Sequence, residues 1–83
     1  MKVRYFAWMK RTVGVSEEEV SPPAEVATVG DLVKWLRGRS AGHAEALAEG
    51  AAFGAAVDQR TATFDAAIAG AREIAFFPPF TGG

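Results

Sequence analysis

Residues 28–39 read Thr-Val-Gly-Asp-Leu-Val-Lys-Trp-Leu-Arg-Gly-Arg and have the pattern of an amphipathic helix that faces a core. Thr28 followed by Asp31 is a capping box, which satisfies backbone N–H groups at a helix start. Helical spacing puts four apolar residues on one stripe: Val29, Leu32, Val33 and Leu36. Arg37 and Arg39 suit the negative end of the helix dipole. The sequence therefore predicts one main helix, ending near Arg39.

Strand patterns lie on both sides of this helix. In residues 2–9 the alternation puts Val3, Tyr5, Ala7 and Met9 on one side and Arg4, Phe6 and Trp8 on the other. This predicts a first strand, and similar patterns predict strands at residues 16–20, 51–57, 60–64 and 73–77. A second, short helix is predicted at residues 43–49, with at most single helical turns at 10–16 and 65–69.

The order strand, strand, helix, strand, strand, strand predicts an α+β fold in which a mixed sheet packs one face on the main helix. The first and last strands would lie parallel at the centre, because the helix supplies the crossover that parallel neighbours need. The sides predicted to face the helix carry Val3, Tyr5, Ile74 and Phe76, which leaves Phe6, Trp8 and Phe77 on the other face. These three would form an exposed docking patch, unless loops of the chain cover them. Residues 1–77 are predicted to be the domain and residues 78–83 a projecting tail.

The last eight residues, 76–83, read Phe-Phe-Pro-Pro-Phe-Thr-Gly-Gly. The two prolines favour a stiff, extended segment. Gly82 and Gly83 carry no Cβ, so they fit a channel too narrow for other residues. The terminal carboxylate is ionised at neutral pH and is a poor electrophile, so chemistry at Gly83 would need activation by another enzyme. An accidental or engineered Gly-Gly end would not be preceded by an aromatic and proline-rich segment such as residues 76–80.

Composition excludes several classes of function. Nine basic residues against ten acidic ones, without a basic cluster beyond Lys10 and Arg11, argue against nucleic acid as the main partner. The chain has no cysteine, which removes disulfides, thiolate metal sites and cysteine nucleophiles. The sequence has no signal-peptide pattern and no apolar run that would span a bilayer, so we expect no membrane association and a cytoplasmic location.

An enzyme with its own active site is not favoured. His43 is the only histidine, and it has no serine or cysteine at a characteristic spacing, so we expect it to be exposed to solvent. The three glutamates at positions 17 to 19 suit the solvated edge of a sheet better than an acid pair or a metal site. The glycines form no phosphate-binding motif.

Residues along the whole chain carry a resemblance to a known family. They are Tyr5, Phe6, Ala7, Lys10, Gly14, Ala56, Val57, Asp58, Gln59, Phe64, Asp65, Gly70 and residues 75–83. With these residues the chain resembles the ubiquitin-like β-grasp sulfur carriers, and among them the small subunits of molybdopterin synthase. Gly-Gly alone would also suit thiamin-pathway carriers and ubiquitin, whereas Phe-Phe-Pro-Pro-x-Thr-Gly-Gly points to the molybdopterin branch.

The resemblance implies a cycle of charging and discharging at Gly83. An activating enzyme uses ATP to adenylate the carboxylate, and a sulfur donor converts the acyl adenylate to a thiocarboxylate. The tail residues Pro79, Phe80, Thr81 and Gly82 would enter a channel in the large synthase subunit. Sulfur then passes to the cyclic pterin precursor, where two deliveries build the dithiolene that binds molybdenum. No cofactor bound to the body is expected.

The same resemblance implies a docking surface on the large subunit, in a heterotetramer. Its residues are predicted to be Phe6, Trp8, Lys10, Phe77 and Pro78. Three positions depart from the family pattern: Lys10 stands where arginine is expected, Asp58 stands where asparagine is common, and Ala71 and Arg72 precede the acid Glu73. Lys10 cannot make the bidentate contact of an arginine. Two alternatives stay open, a ubiquitin-like protein modifier and a sulfur carrier of another pathway such as thiamin synthesis.

Overall fold

The structure, a computed structural model, describes residues 1–79. In chain order its elements are β1 (Lys2–Tyr5), α1 (Trp8–Val13), β2 (Glu17–Glu19), α2 (Val29–Arg37), α3 (Ala41–Ala46), β3 (Gly54–Val57), β4 (Arg60–Ala62) and β5 (Glu73–Phe77). Over the part of the chain described, none of the helices has the length and apolar character needed to cross a membrane.

The five strands form one mixed sheet in the order β2-β1-β5-β3-β4. β1 and β5 are parallel, with Lys2 opposite Glu73 and Tyr5 opposite Phe76, and the other neighbouring strands are antiparallel. The prediction of parallel first and last strands at the centre is confirmed. The last strand therefore has a partner on each side.

Helix α2 begins at the predicted capping box. Thr28 Oγ1 accepts a hydrogen bond from Asp31 N–H at 3.1 Å, and Asp31 Oδ2 accepts from the backbone N–H groups of Ala27 and Thr28. These hydrogen bonds, that of Ala27 first, lower the pKa of the Asp31 carboxyl. The predicted apolar stripe is buried against the sheet: Val29, Leu32, Val33 and Leu36. Each fully buried leucine there contributes about 2 kcal/mol to stability.

The predicted first strand is too long, because the chain leaves the sheet at Phe6. Phe6 N–H still donates to the carbonyl of Phe76 at 3.1 Å, but Ala7 has φ 54° and ψ −132° and turns the chain into α1. Met9 lies on this helix and its side chain is buried in the core, whereas Trp8 is partly buried against the core. The prediction that Trp8 lies on the outer face of a strand is therefore wrong.

The other elements are shorter than predicted or shifted along the chain. The short helix of residues 43–49 is observed as α3, and strands 51–57 and 60–64 are observed as β3 and β4. The segment predicted as a helical turn at 65–69 is instead a turn with an isolated bridge between Ala67 and Thr28. Helices α1 and α3 cross closely, since a Cβ on Gly42 would lie 2.5 Å from the Thr12 carbonyl oxygen.

Candidate functional site

The tail leaves the body from the most constrained part of the sheet. Ile74 and Phe76 are fully buried, and β5 pairs with both β1 and β3 up to Phe77. Pro78 is half-buried and Pro79 is exposed. The predicted reacting residue Gly83, and the predicted channel residues Phe80, Thr81 and Gly82, lie outside the described residues. The structure does describe the root of the tail, Phe77 and Pro78, and the strands that hold it.

Phe77, the last strand residue, packs on the backbone of the neighbouring strand. Gly54 lies opposite it in β3, and a Cβ on Gly54 would be 2.6 Å from Phe77 Cε1. Only glycine leaves room for the ring in this position. The aromatic ring is thus half-buried at the point where the chain leaves the sheet, and part of its surface faces outward.

The outer face of the sheet, opposite α2, carries aromatic and charged side chains beside this point. Successive strand residues alternate between faces, so Phe6 and Phe77 share the outer face with Arg4. Phe6 is 39% exposed, and the Arg4 guanidinium lies 5.1 Å from its ring centroid. Of the predicted docking residues, the structure therefore brings Phe6, Phe77 and Pro78 to one region, and Lys10 is exposed on α1.

Sequence reasoning missed the position of Arg4 at the centre of a charge ladder. Its guanidinium lies 3.8 Å from Glu17 of β2 and 3.8 Å from Glu73 of β5, and Lys2 lies 3.5 Å from Glu17. Exposed pairs of this kind contribute little stability. They do hold the guanidinium over Phe6. The only sequence signal for the outward position of Arg4 was that it alternates with the core residues Val3 and Tyr5.

His43 is 7% exposed, so the prediction of a solvent-exposed histidine is wrong. Its Nε2 lies 2.7 Å from Glu18 Oε2, and its Nδ1 lies 2.7 Å from Ser40 Oγ. Tyr5 Oη donates to the same Glu18 oxygen at 2.7 Å, and Arg39 approaches the other at 3.7 Å. We call these five residues the Glu18 network. Glu18 is opposite Val3 in the sheet, so it faces the helices and not the solvated edge.

The Glu18 network also shifts the pKa values of two of its members, Glu18 and Tyr5. Partial burial would raise the pKa of Glu18, but the hydrogen bonds from His43 and Tyr5 and the charges of His43 and Arg39 outweigh it and lower that pKa. Burial, followed by the hydrogen bond and charge of Glu18, raises the pKa of the Tyr5 hydroxyl far above its ordinary value.

The Glu18 network is built to hold α3 on the sheet. Both ring nitrogens of His43 already have partners, so the ring has no free base to offer to a substrate. Within residues 1–79 no three histidine, cysteine or acidic side chains come together as a metal site.

The chain matches the ThiS family over residues 3–83. It belongs to the ThiS family. Among its relatives, the molybdopterin synthase sulfur carrier subunit of Escherichia coli (strain K12) is 39% identical over 83 residues, which is 100% of this chain and 99% of that protein. The resemblance inferred from the sequence is confirmed at the level of the family.

Two solved structures have the same fold. SAMP1 from Haloferax volcanii, a small archaeal modifier protein, is 26% identical with a TM-score of 0.72, covering 100% of this chain and 98% of that one. A Pyrococcus furiosus protein provisionally named molybdopterin converting factor, subunit 1, is 29% identical with a TM-score of 0.71, covering 95% of each chain. The predicted α+β fold of the ubiquitin-like β-grasp type is confirmed for this ThiS family member.

Proposed function

We propose that this ThiS family chain is the sulfur carrier subunit of a molybdopterin synthase. Three observations support the proposal: the family, the name of the E. coli relative, and the tail sequence Phe-Phe-Pro-Pro-Phe-Thr-Gly-Gly. The observation that carries it is the central position of β5 between β1 and β3, which fixes the start of the tail in the middle of the sheet.

The chemistry belongs to the carboxylate of Gly83. A carboxylate oxygen attacks the α-phosphorus of ATP on an activating enzyme, pyrophosphate leaves, and an acyl adenylate forms. Hydrosulfide released by a sulfur donor then attacks the acyl carbon and AMP leaves, so that the chain ends in a thiocarboxylate. Adenylation is needed because a free carboxylate resists nucleophiles, whereas AMP is a good leaving group. The body takes no part in breaking or forming these bonds.

The body's part is to present the tail to two partners, the activating enzyme and the large synthase subunit. Phe6, Phe77 and Pro78 form an apolar surface around the root of the tail, where a partner that encloses the tail must also make contact. Lys10, exposed on the adjacent helix α1, completes the proposed docking surface, and Trp8, which packs partly against the core, is not part of it. Aromatic residues in such a position are typical binding anchors. The assembly with the large subunit is proposed to be a heterotetramer.

Intact-mass measurement tests the proposal directly. The purified 83-residue chain is incubated with ATP, an activating enzyme and a sulfur donor, and the same mixture without ATP is the control. We expect the mass gain of one oxygen replaced by one sulfur, located at the C-terminus. A chain without Gly83 is the matched negative control. No gain with the complete mixture, using an activating enzyme that charges the E. coli carrier, would refute the proposal.

A protein modifier is the second candidate, favoured by the structural similarity to SAMP1. Adenylation of Gly83 is common to both functions, so the difference lies in the acceptor. A modifier forms isopeptide bonds with lysines of other proteins and gives a ladder of conjugates on a gel, whereas a sulfur carrier releases its sulfur and returns to the free carboxylate. The cytoplasmic location expected from the sequence stays a prediction.

A further inference from the structure

A groove on the helix side of the sheet has no role in the function proposed above. It lies between α2 and residues 48–51, has a volume of about 250 Å³, and has Phe53 and Phe64 on its floor. We call it the α2 groove. Phe64 is 44% exposed, and its ring centroid is 5.4 Å from that of Phe53. Phe53 in turn packs edge-on against buried Phe76, so the floor is fixed to the core.

One wall of the α2 groove is positively charged. Lys34 and Arg37 lie one helical turn apart on α2 and both line the groove. Within residues 1–79 neither has a carboxylate within 4.0 Å. Arg37 Nε donates to the Leu47 carbonyl at 2.6 Å, which fixes its side chain along the wall. Glu49 is the one acid among the described residues that line the groove, so the lining carries two positive charges and one negative charge. Asp31 interacts with Lys34 from outside the lining, but its carboxylate is bound to the N–H groups of Ala27 and Thr28.

We propose that the α2 groove docks an acidic segment of a partner protein that carries one aromatic side chain. The aromatic ring packs on Phe64 and removes its exposed surface from water. Carboxylates of the segment pair with Lys34 and Arg37, which make no close ion pair within residues 1–79. Phe6 and Phe77 lie on the opposite face of the sheet, so a protein held at the groove leaves these two docking residues accessible. The groove would tether the carrier to a protein that does not enclose its tail.

Nuclear magnetic resonance of the full-length, ¹⁵N-labelled chain tests this assignment. The probe is a synthetic peptide of glutamates around one central phenylalanine. We expect its addition to shift backbone amides that line the groove, those of Gly30, Val33, Gly50 and Phe64, in a saturable and salt-sensitive way. Two matched peptides, one with serine in place of phenylalanine and one with lysines in place of glutamates, are expected to bind more weakly.

Variants then separate the groove from general charge attraction. Lys34→Glu is expected to weaken binding of the peptide by roughly fivefold. Arg11→Glu makes the same charge change on α1, away from the groove, and should leave the affinity unchanged. Phe64→Ala should also weaken binding. Lys34, Arg11 and Phe64 are all exposed, so the fold is expected to survive each change.

Three outcomes would overturn the proposal. The first is that no groove amide shifts up to about 1 mM peptide. The second is that the shifts fall on the outer face around Phe6 and Phe77, or that Arg11→Glu weakens binding as much as Lys34→Glu does. The third is that removal of residues 80–83 shifts the groove amides without any peptide, which would make the chain's own tail the occupant. None of these results depends on sulfur transfer, so they test the groove proposal without testing the proposed function.

Discussion

Glu18→Ala is expected to destabilise the protein strongly, although Glu18 sits in a short edge strand. The carboxylate is the acceptor for Tyr5 Oη and the partner of His43 Nε2, both at 2.7 Å, and the two donor side chains are 1% and 7% exposed. A buried donor left without an acceptor costs about 1–3 kcal/mol. Because the Glu18 side chain is 17% exposed, water replaces part of the loss. We therefore expect a decrease of about 2–4 kcal/mol in the free energy of unfolding.

Urea unfolding at neutral pH, followed by tryptophan fluorescence, measures this decrease. Glu19→Ala is the matched control, because Glu19 is the next residue, lies on the outer face, and within residues 1–79 forms an ion pair with the N-terminal amine alone, at 3.2 Å. It should cost less than about 1 kcal/mol, as exposed pairs do. A Glu18→Ala variant as stable as Glu19→Ala would refute the reasoning, because the Glu18 network would then contribute no more than a surface pair.

The pH dependence gives a second measurement of the same network. The pKa of Glu18 is lower in the folded chain than in the unfolded chain. Its ionised form therefore stabilises the fold above the unfolded pKa, and this contribution is lost as the pH falls through the folded pKa. Glu18→Gln cannot ionise, so its deficit in unfolding free energy relative to the natural chain should shrink as the pH is lowered through that range. A deficit that is independent of pH would contradict the assignment.

Tyr5 reports on the other side of the network, since it is the only tyrosine in the chain. Burial, and then the hydrogen bond and charge of Glu18, raise the pKa of its hydroxyl. The stabilisation is complete below the ordinary pKa of about 10 and is lost as the pH rises toward the folded value. Tyrosinate absorbance should therefore stay absent through the ordinary pKa until the protein unfolds, and appear at lower pH in Glu18→Gln. Titration of the folded natural chain at the ordinary pKa would be inconsistent with a buried hydroxyl.

Four further changes test other parts of the structure. Gly42→Ala places a methyl group 2.5 Å from a carbonyl oxygen of α1 and should cost about 1–3 kcal/mol in urea unfolding; Gly38→Ala, whose Cβ has room, should cost nothing. Ala7→Gly relieves the φ of 54° and should add about 1 kcal/mol of stability, and a loss would mean that the angle is unstrained. Phe77→Ala should weaken binding to the large subunit by about 1–4 kcal/mol in calorimetry, and an unchanged affinity would limit its ring to packing within the body. Deletion of Gly83 should leave urea unfolding unchanged and abolish thiocarboxylate formation and molybdopterin synthesis; restored synthesis would refute the proposed function.

The part of the fold that local sequence determines was predictable. Thr28 and Asp31 form the capping box that their types and spacing predict, and the stripe from Val29 to Leu36 is buried as expected. The parallel pair of β1 and β5 followed from the order of elements and the need for a helical crossover. These features depend on contacts within one helical turn or on general rules of chain connection.

The first strand was predicted too long because its pattern does not change where the strand ends. Tyr5 and Met9 are both buried. A strand continued beyond Tyr5 would bury Met9 by alternation, and helix α1 also buries it, so the burial of Met9 does not distinguish a strand from a helix. The difference lies at Ala7, which adopts a left-handed φ that its residue type does not indicate. The error moved Trp8 to the wrong surface and made the predicted aromatic patch larger than the one observed.

The Glu18 network could not be predicted because it depends on strand register. Of three consecutive glutamates, only the one opposite Val3 faces the helices, and a shift by one residue would turn it to solvent. Its partner His43 is 25 residues away along the chain, on a helix whose position depends on a close crossing with α1. An isolated histidine in an alanine-rich segment carries no sign of such a partner.

The arrangement of the sheet explains how a small body can present a tail to partner proteins. The tail continues from β5, and moving its root requires breaking pairs with both β1 and β3, which is close to unfolding the whole domain. The edge strands β2 and β4 have only three residues each, so opening at the edges is the less costly motion. Because the Glu18 network holds β2, opening is expected mainly at β4, which does not pair with the strand that leads into the tail. The Glu18 network fastens β2 to α3 at the edge nearest to the parallel pair, so it protects β1, and through β1 the strand β5 that ends at Phe77.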